Sequence, residues 1–392
     1  MNTSSLLHGK KIALLTNTAW NHWNYRRHLI GALIAQGAEV FLIAPDDRHR
    51  ALLQQHFPQA HIVVLRHLAR RSLSLWSNAR TFWEVYTVLK KIGPHLLICF
   101  TIKPNIFGNL SAHRLGIPSI GVIEGLGYTG TAPLLLRWLL FRLYRYASRS
   151  VCRLIFLNYQ DRAEFIKANA VVPEKTRVIK GVGIDTSHFS PLPAPAEGGG
   201  PVFLFVGRFL TEKGIREFVA AGKKVRVQLP QARFQILGSP DLGNPASILP
   251  RELEQWVRDG AVEYLGQTDD VRPWLAAADV LALPSYYHEG LPCSLLEGMA
   301  MGKPIITTDS AGCRDTVEEG KNGHIVPIAD VEALAAAMLR LALLSPEKRA
   351  EMGRYGRRKV LREFCREVIL PQYLQEAEIC LGLKKGLHLG DF

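Results

Sequence analysis

The sequence lacks the features that mark several common classes of protein. Its 6 cysteines are far apart, with no CxxC pair and no Cys/His cluster at zinc-ligand spacing, which excludes a disulfide framework and a zinc module. Such cysteines indicate a reducing compartment. No run of about 18 uncharged apolar residues is present, so we expect no membrane-spanning helix. The first residues contain no cleavable apolar core, so we expect no signal peptide.

Positive charge, by contrast, is abundant and concentrated in the first half of the chain. Residues 1–195 contain 24 of the 48 Lys and Arg residues but only 9 of the 35 Asp and Glu residues, which gives them a net charge of +15. The other 24 basic and 26 acidic residues give residues 196–392 a net charge of −2. This asymmetry indicates an anionic partner of the first half, either a nucleic acid or an anionic membrane surface.

Nucleic acid is the less favoured of these two partners. The signatures of RRM, KH, helix-turn-helix and zinc-finger domains are missing. The basic residues lie among Leu and Trp rather than among glycines and exposed stacking patterns. We therefore expect no nucleic-acid partner.

Short apolar runs alternate with segments of helical period along the chain, and the runs predict buried parallel strands. Six lie in the first half, at 11–16, 39–44, 95–100, 118–123, 153–158 and 177–182. Six more lie in the second half, at 202–207, 233–238, 262–266, 279–284, 304–309 and 323–327. The alternation predicts an α/β fold with two doubly wound, Rossmann-like sheets.

A Pro- and Gly-rich segment, SPLPAPAEGGGP, separates the two series of strands. We therefore predict an N-terminal domain over residues 1–190, a linker over 191–201 and a C-terminal domain over 202–345. Residues 346–392 are predicted to be helical and to pack back toward the N-terminal domain. Ligands of open α/β sheets bind at the carboxyl ends of the strands, so charged loops that follow strands are the first candidates for a site.

The segment GRFLTEKG directly follows the first strand of the second half. Arg208 and Lys213 lie five positions apart in a turn that opens a helix. Two cations beside a helix N-terminus suit a diphosphate. The alternative is a solvated turn with two surface charges.

A second charged segment, YYHEGLPCSLLEGMAMGKP, follows the strand predicted over 279–284. Glu289 precedes a Gly-Leu-Pro turn, and Glu297 lies eight positions later in the helix that Pro292 begins. The helix N-terminus offers N–H groups to a phosphate, and carboxylates accept hydrogen bonds from sugar hydroxyls. The segment predicts a nucleotide-sugar site; the alternative is an ordinary helix-start acid and an exposed helical acid.

These motifs resemble those of retaining glycosyltransferases of the GT4 type. EGLPxSLLE, with GRxxxxKG upstream and GKNGHIVPIAD downstream, is similar to their C-terminal half. In the first half, NTAWNHWNYR, FTIKPNIFGNLSAHRLGIP and IEGLGYTG resemble bacterial enzymes that add an N-acetylhexosamine (GalNAc or GlcNAc) to an undecaprenyl-diphosphate-linked sugar in O-antigen, capsule and protein-glycan assembly. The resemblance implies the GT-B fold, in which two Rossmann-like domains face each other across a cleft. It also implies a UDP-sugar donor, a polyprenyl-diphosphate-linked sugar acceptor and no cofactor.

The resemblance further implies roles for single residues. Arg208 and Lys213 would hold the donor diphosphate, Glu289 the donor sugar and Glu297 the ribose. Other donor contacts are implied at Gly207, Gly290, Leu291, Gly266 and Gln267. Many family members carry a histidine near the sugar, where this sequence reads IEGLGY, so Glu124 is a catalytic candidate in its place. No DxD triplet is present to seat a divalent ion, so we expect no metal dependence.

Candidates for acceptor or membrane contact come from the basic half. A helical projection of residues 134–153 places Leu136, Leu139, Leu140, Leu143 and Ala147 on one side and the arginines with Trp138 on the other. Such a helix suits an anionic bilayer surface, and a core helix with a solvated arginine face is the alternative. The candidates are Trp20, Arg26, Lys103, Asn105, Arg142, Arg145 and Arg149. We expect a cytoplasmic protein, peripherally associated with the cytoplasmic face of the inner membrane.

Three other functions are compatible with parts of the sequence. A UDP-sugar 2-epimerase on the same scaffold is disfavoured by the arginine-rich first half and by EGLPxSLLE. A non-catalytic sugar-nucleotide-binding protein is disfavoured because all four charged motif residues are intact. A Rossmann oxidoreductase is disfavoured because no GxGxxG follows any predicted strand.

Overall fold

The computed structural model describes residues 5–69, 72, 74–127, 134–193 and 199–383, which form two compact units. The first unit comprises Met1–Gly183 and Arg366–Phe392, and the second comprises Ile184–Cys365. The second unit is therefore an insertion between two segments of the first. Nowhere in these described ranges is a helix both long and apolar enough to cross a membrane.

The first unit is built on a seven-stranded parallel sheet with the order β3-β2-β1-β4-β5-β6-β7. Its strands are β1 Lys11–Leu15, β2 Glu39–Pro45, β3 His61–Leu65, β4 Leu96–Phe100, β5 Ser119–Ile123, β6 Arg153–Phe156 and β7 Thr176–Val178. Strands β4 and β5 are buried at every residue. Their side chains are consequently apolar or small on both faces, as in parallel sheets covered on both sides by helices.

Among the residues that the structure describes, seven α-helices precede the second unit: α1 Ala19–Asn21, α2 Arg27–Ala35, α3 Arg50–His56, α4 Leu75–Ile92, α5 Asn109–Leu115, α6 Leu134–Ala147 and α7 Tyr159–Lys167. Two π-helical segments, His22–Arg26 and Pro104–Gly108, lie beyond the carboxyl ends of β1 and β4. These two strands are neighbours, so both segments lie at one edge of the sheet. π-Helical turns are rare in proteins as a whole, but those that occur are often found at functional sites. We therefore expect a ligand at this carboxyl-end edge of the sheet.

The second unit contains a six-stranded parallel sheet with the order β10-β9-β8-β11-β12-β13. The strands are β8 Val202–Val206, β9 Arg233–Leu237, β10 Glu263–Tyr264, β11 Val280–Leu283, β12 Ile305–Thr308 and β13 Gly323–Val326. Its helices are α8 Ile215–Gln228, α9 Pro250–Arg258, α10 Arg272–Ala277, α11 Cys293–Ala300, α12 Val331–Ala342 and α13 Pro346–Glu363.

The last helix, α14 Arg366–Leu383, belongs to the first unit. It packs against α2, β4 and β5. Glu376 accepts a hydrogen bond from Arg153 Nε at 2.7 Å, and Ser5 Oγ donates to Glu378 at 2.9 Å. The first contact joins α14 to β6, and the second joins the start of the described chain to α14.

The observed boundaries differ from the predicted ones at two places. The chain enters the second unit at Ile184, ahead of the segment 191–201, and of the C-terminal helices only α14 returns to the first unit. The reason is local: Ile184 N donates to the Phe364 carbonyl at 2.9 Å, and Arg357 Nη1 donates to the Phe189 carbonyl at 3.0 Å. These contacts attach the start of the second unit to the end of α13.

Each of the twelve predicted strands overlaps an observed strand, but β3 was not among the predicted strands. Strand β3 is at the edge of its sheet, and only its last residue is buried. A half-exposed edge strand carries a weaker apolar signal than the central strands, which explains the omission.

Candidate functional site

The predicted donor-binding loops follow β8 and β11, which are neighbours in the second sheet. After β8 the chain passes Arg208 and makes a 3-10 turn, Thr211–Lys213, before α8. Gly214 has a φ of +74°, and a Cβ there would lie 2.1 Å from the Pro284 carbonyl oxygen. Only glycine fits this backbone and this close approach. The glycine thus lets the first loop reach the loop that follows β11.

At this meeting point Lys213 Nζ forms an ion pair with Glu289 Oε1. Ser285 Oγ donates a second hydrogen bond to the same oxygen at 3.0 Å. Both charged side chains are largely buried, and pairing offsets the cost of removing each from water. The structure therefore brings together two predicted site residues that lie 76 positions apart in the sequence.

Arg208 lies in the same loop, with its Nη1 donating to Asp241 Oδ2 at 3.0 Å. The Tyr287 ring centroid lies 5.9 Å from Arg208 Cζ and 5.7 Å from Lys213 Nζ, so the ring contacts both cations. Burial lowers the pKa of Arg208, but Tyr287, Asp241 and Glu289 raise it, and the net pKa is above the ordinary value. Two cationic side chains thus lie within 6 Å of one aromatic ring centroid at the end of β8, an arrangement suited to a diphosphate.

Sequence reasoning missed three polar residues of this cluster: Ser285, Tyr287 and Asp241. Ser285 and Tyr287 lie four and two positions before Glu289. Their closeness to this charged turn was the sequence signal that could have identified them as site residues. Asp241 lies in the loop after β9, the other neighbour of β8. No motif marks it, and only the strand order reveals its contact with Arg208.

The remaining donor candidates surround this cluster or lie farther along the sheet edge. Gly290 and Leu291 are buried, and Glu297 is half-buried within α11. Gly207 directly follows β8. Gly266 and Gln267 follow β10, which β9 separates from β8. Among the residues described, no group of three or more His, Cys, Asp or Glu side chains could hold a metal ion.

In the first unit, Arg26 ends the first π-helical segment and points into the protein rather than toward a ligand at the surface. Its side chain is 1% exposed and forms an ion pair with Glu124 Oε1, directly after β5. The guanidinium carbon lies 4.1 Å from the Phe100 ring centroid. The predicted acceptor contact by Arg26 is therefore corrected: a buried guanidinium cannot reach an acceptor, although its partner Glu124 is 18% exposed.

The predicted acceptor contacts by Lys103 and Asn105 are corrected in the same way, because the protein itself takes up the N–H donors of both side chains. Lys103 Nζ donates to the carbonyls of Ala69 and Ser72 and to Asn78 Oδ1, at 2.7, 2.6 and 2.9 Å. Three acceptors use all the donors of an ammonium group.

Asn105 is buried, and its amide donates to the carbonyls of Thr101 and Val122 at 2.8 Å each. It thereby connects the carboxyl ends of β4 and β5. Trp20, by contrast, is 41% exposed, with its ring edge-on to Tyr25. Its backbone N–H donates to Asp47 Oδ2 at 2.9 Å.

Helix α6 is amphipathic, but its faces differ from the predicted projection. Its inward face packs Tyr144, Leu140 and Phe141 against the cluster around Phe165. Leu139 and Leu143, which the projection placed on the same side as Leu140, are exposed. The face that packs against the core is rotated about the helix axis relative to the projection, because the larger Tyr144 and Phe141 side chains, rather than Leu139 and Leu143, fill the core.

The outward face of α6 consequently carries leucine, tryptophan and arginine together. Its exposed residues are Leu134, Leu135, Trp138, Leu139, Arg142, Leu143, Arg145 and Tyr146, and Arg149 follows in the next turn. The Arg142 guanidinium lies 5.4 Å from the Trp138 ring centroid. A mixed basic and apolar face is typical of helices that lie in a lipid headgroup layer.

Comparison with known proteins agrees with this geometry. The model of the glycosyl transferase 4-like domain matches residues 22–181, and the model of glycosyl transferases group 1 matches residues 200–343. One relative is the N,N'-diacetylbacillosaminyl-diphospho-undecaprenol alpha-1,3-N-acetylgalactosaminyltransferase of Campylobacter jejuni, 29% identical over 80% of this chain and 84% of its own. Another is the UDP-Gal:alpha-D-GlcNAc-diphosphoundecaprenol alpha-1,3-galactosyltransferase of Escherichia coli, 26% identical over 69% and 72%.

Solved structures show the same fold. Sucrose-phosphate synthase from Thermosynechococcus elongatus superimposes with a TM-score of 0.81 over 95% of this chain and 100% of its own, at 23% identity. HepE of Anabaena, solved with UDP, gives 0.76 over 94% and 100%, at 19% identity. The resemblance to glycosyltransferases is thus confirmed: the chain belongs to the glycosyltransferases, with a glycosyl transferase 4-like domain followed by a glycosyl transferases group 1 domain, and it has the GT-B fold.

Proposed function

We propose that this glycosyltransferase moves an N-acetylhexosamine from a UDP-sugar to a sugar carried on undecaprenyl diphosphate. The observation that carries the proposal is the Lys213–Glu289 pair beside Arg208 at the carboxyl ends of β8 and β11. The acceptor class comes from the two relatives named above, whose names specify diphospho-undecaprenol sugars.

In the donor complex, the two cations bind the diphosphate and Glu289 accepts hydrogen bonds from hydroxyls of the sugar. Arg208 and Lys213 both lie close to the Tyr287 ring and supply positive charge where the leaving UDP develops negative charge. We propose that these side chains, without a metal ion, stabilise the departing diphosphate, with Glu297 on the ribose. Gly207, Gly290, Leu291, Gly266 and Gln267 complete the proposed donor contacts.

The proposed reaction retains the anomeric configuration. The acceptor hydroxyl oxygen forms a bond to the anomeric carbon on the face from which the diphosphate oxygen leaves, and the hydroxyl proton passes to that oxygen. Glu289 Oε1 already accepts from Lys213 and Ser285, so it is suited to orient the sugar rather than to form a covalent intermediate.

The acceptor is proposed to reach the first unit from an anionic membrane surface. The outward face of α6 places Arg142 and Arg145 beside exposed Trp138 and Leu139. Arginine attracts anionic headgroups, and tryptophan and leucine enter the boundary between headgroups and acyl chains. We therefore propose peripheral attachment to the cytoplasmic face of the inner membrane.

The test is a transfer assay with purified protein and a synthetic undecaprenyl-diphosphate-linked sugar in vesicles, in the presence of EDTA. UDP-GalNAc, UDP-GlcNAc, UDP-Gal and UDP-Glc are compared, and the lipid product is analysed by mass spectrometry and NMR. We expect the acceptor to gain one N-acetylhexosamine in the donor's own anomeric configuration.

Each part of the proposal has its own contrary result. Release of UDP without a larger lipid would refute the acceptor, and conversion of the UDP-sugar into an isomer would indicate an epimerase. Activity that appears only when Mg²⁺ replaces EDTA would refute metal-independent transfer. An inverted anomeric centre would refute retention while leaving the donor and acceptor classes intact.

A further inference from the structure

A buried chain of polar contacts connects the last helix of the protein to the ligand edge of the first sheet. Arg26 is 1% exposed, and a charge so far from water is tolerated only when its donors are used. Its guanidinium lies 4.1 Å from the Phe100 ring centroid and is ion-paired with Glu124. Tyr373 of α14, which packs against β4 and β5, is its neighbour: burial raises the pKa of the Tyr373 hydroxyl, and the Arg26 guanidinium opposes that rise.

Tyr373 is itself held in one orientation. It is buried, and its hydroxyl donates to the Gly181 carbonyl at 3.3 Å. With its hydrogen committed to Gly181, the hydroxyl oxygen can only accept from Arg26. The series of polar groups therefore runs from Arg26 through Tyr373 to the backbone just before the second unit.

Glu124 is the member of this series of polar contacts that a ligand can reach. One carboxylate oxygen pairs with Arg26, and Asn21 Nδ2 lies 3.5 Å from the other. Asn21 is followed by the first π-helical segment, and Glu124 follows β5, so this partly exposed carboxylate lies at the sheet edge that carries both π-helical segments. Its position is set by buried neighbours on two sides, while part of the group stays open to solvent.

We propose that α14 completes the acceptor site: Tyr373 positions Arg26, and Arg26 positions Glu124 to accept a hydrogen bond from a hydroxyl of the acceptor sugar. This inference rests on the proposed function, since it assigns the acceptor sugar to that sheet edge. Glu124 is the residue that contacts substrate, and Arg26 and Tyr373 are positioning residues. Loss of the Tyr373 hydroxyl should therefore weaken acceptor binding without touching the donor site.

The experiment measures KM for acceptor and for donor separately in four proteins: wild type, Glu124→Gln, Tyr373→Phe and the double variant. Glu124→Gln should raise the acceptor KM about tenfold, as expected when a hydrogen bond to a charged group is lost. Tyr373→Phe should raise it about threefold to tenfold and leave the donor KM unchanged. In the Glu124→Gln background, Tyr373→Phe should add nothing further, because the two residues act through one carboxylate.

Tyr144→Phe is the matched control, because Tyr144 is another buried tyrosine of the first unit and packs in the α6 cluster. Its acceptor KM should equal that of the wild type. Additive effects of Glu124→Gln and Tyr373→Phe, or equal changes in donor and acceptor KM, would overturn the inference. If Tyr373→Phe does not fold, an unchanged acceptor KM in the isosteric Glu124→Gln variant overturns it. A wild-type protein that transfers no sugar to lipid would instead refute the proposed function.

Discussion

The two units treat their charged residues in opposite ways. In the second unit, Lys213, Glu289 and Arg208 come together on loops at the ends of neighbouring strands. There, contacts with a ligand can replace the contacts that these side chains make with one another. In the first unit, the side chains of Arg26, Lys103 and Asn105 instead form ion pairs and hydrogen bonds with other groups of the protein. The difference teaches that a charged or amide side chain after a strand indicates a site only when its partners are groups that a ligand could replace.

The largest expected effect concerns the ion pair of the second unit. On the proposed function, Lys213→Ala and Glu289→Gln should each lower kcat about 100- to 1000-fold, because each removes a preorganised charge from the proposed site of the donor sugar and its leaving group. Lys224→Ala is the control, since Lys224 forms an exposed ion pair with Glu332 in the same unit and should keep wild-type turnover. Wild-type turnover in both site variants, with folded protein, would remove the assignment.

The next effect concerns the charge of the first unit. Exchanging Arg142, Arg145 and Arg149 together for Glu should weaken binding to vesicles that contain phosphatidylglycerol by about 100-fold or more, since each cation near an anionic surface contributes about 1 kcal/mol. Vesicle flotation at physiological salt measures this loss. Vesicles of phosphatidylcholine alone should bind wild type and variant equally weakly.

A matched variant keeps the net charge the same but moves the change to the second unit. It replaces three exposed basic residues with Glu: Lys223, Lys224 and Arg251. This protein should float like the wild type. If both triple variants lose binding equally, the attraction follows net charge and α6 has no special role.

A smaller effect should distinguish a structural amide from an acceptor contact. Asn105→Ala should lower the free energy of unfolding by about 2 to 3 kcal/mol, because two buried carbonyls lose their donor. Denaturant titration measures this change, and the acceptor KM of the folded variant should be unchanged. Asn24→Ala, at an exposed asparagine, should stay within about 0.5 kcal/mol of wild type. A raised acceptor KM for Asn105→Ala would restore the original assignment.

The smallest effect is a pH dependence in the first unit. Burial lowers the pKa of His22 from 6.5 to about 4. Between these values the unfolded chain binds a proton that the folded protein does not, so the contribution of His22 to stability is lost as the pH falls from above 6.5 toward 4. At pH 5 this loss is about 2 kcal/mol.

Unfolding titrations at pH 7 and pH 5 test this dependence. His22→Gln should reduce the difference between the two pH values, because it removes the buried group that titrates. His61→Gln, at an exposed histidine beside Glu39, should retain the wild-type difference. A wild-type difference that survives in His22→Gln would assign the acid sensitivity to other groups.

Periodicity predicted most of the fold, and motifs predicted the charged residues that the structure brings together after β8 and β11. The central strands are apolar throughout because helices cover both faces, whereas edge strand β3 is half-exposed and was missed. Lys213 and Glu289 were found separately, but their pairing depends on β8 and β11 being neighbours, which is a property of topology. The rotation of α6 likewise depends on which side chains fill the core around Phe165.

The place of α14 in the chain has a consequence for biosynthesis. The second unit is inserted between Gly183 and Arg366, so a ribosome releases the helix that carries Tyr373 only after every residue of the second unit has been made. The first sheet can form early, but the surfaces of α2, β4 and β5 that α14 covers stay uncovered until α14 has been made. A nascent or prematurely terminated chain therefore holds an incomplete first unit, and vectorial synthesis completes the second unit before the first.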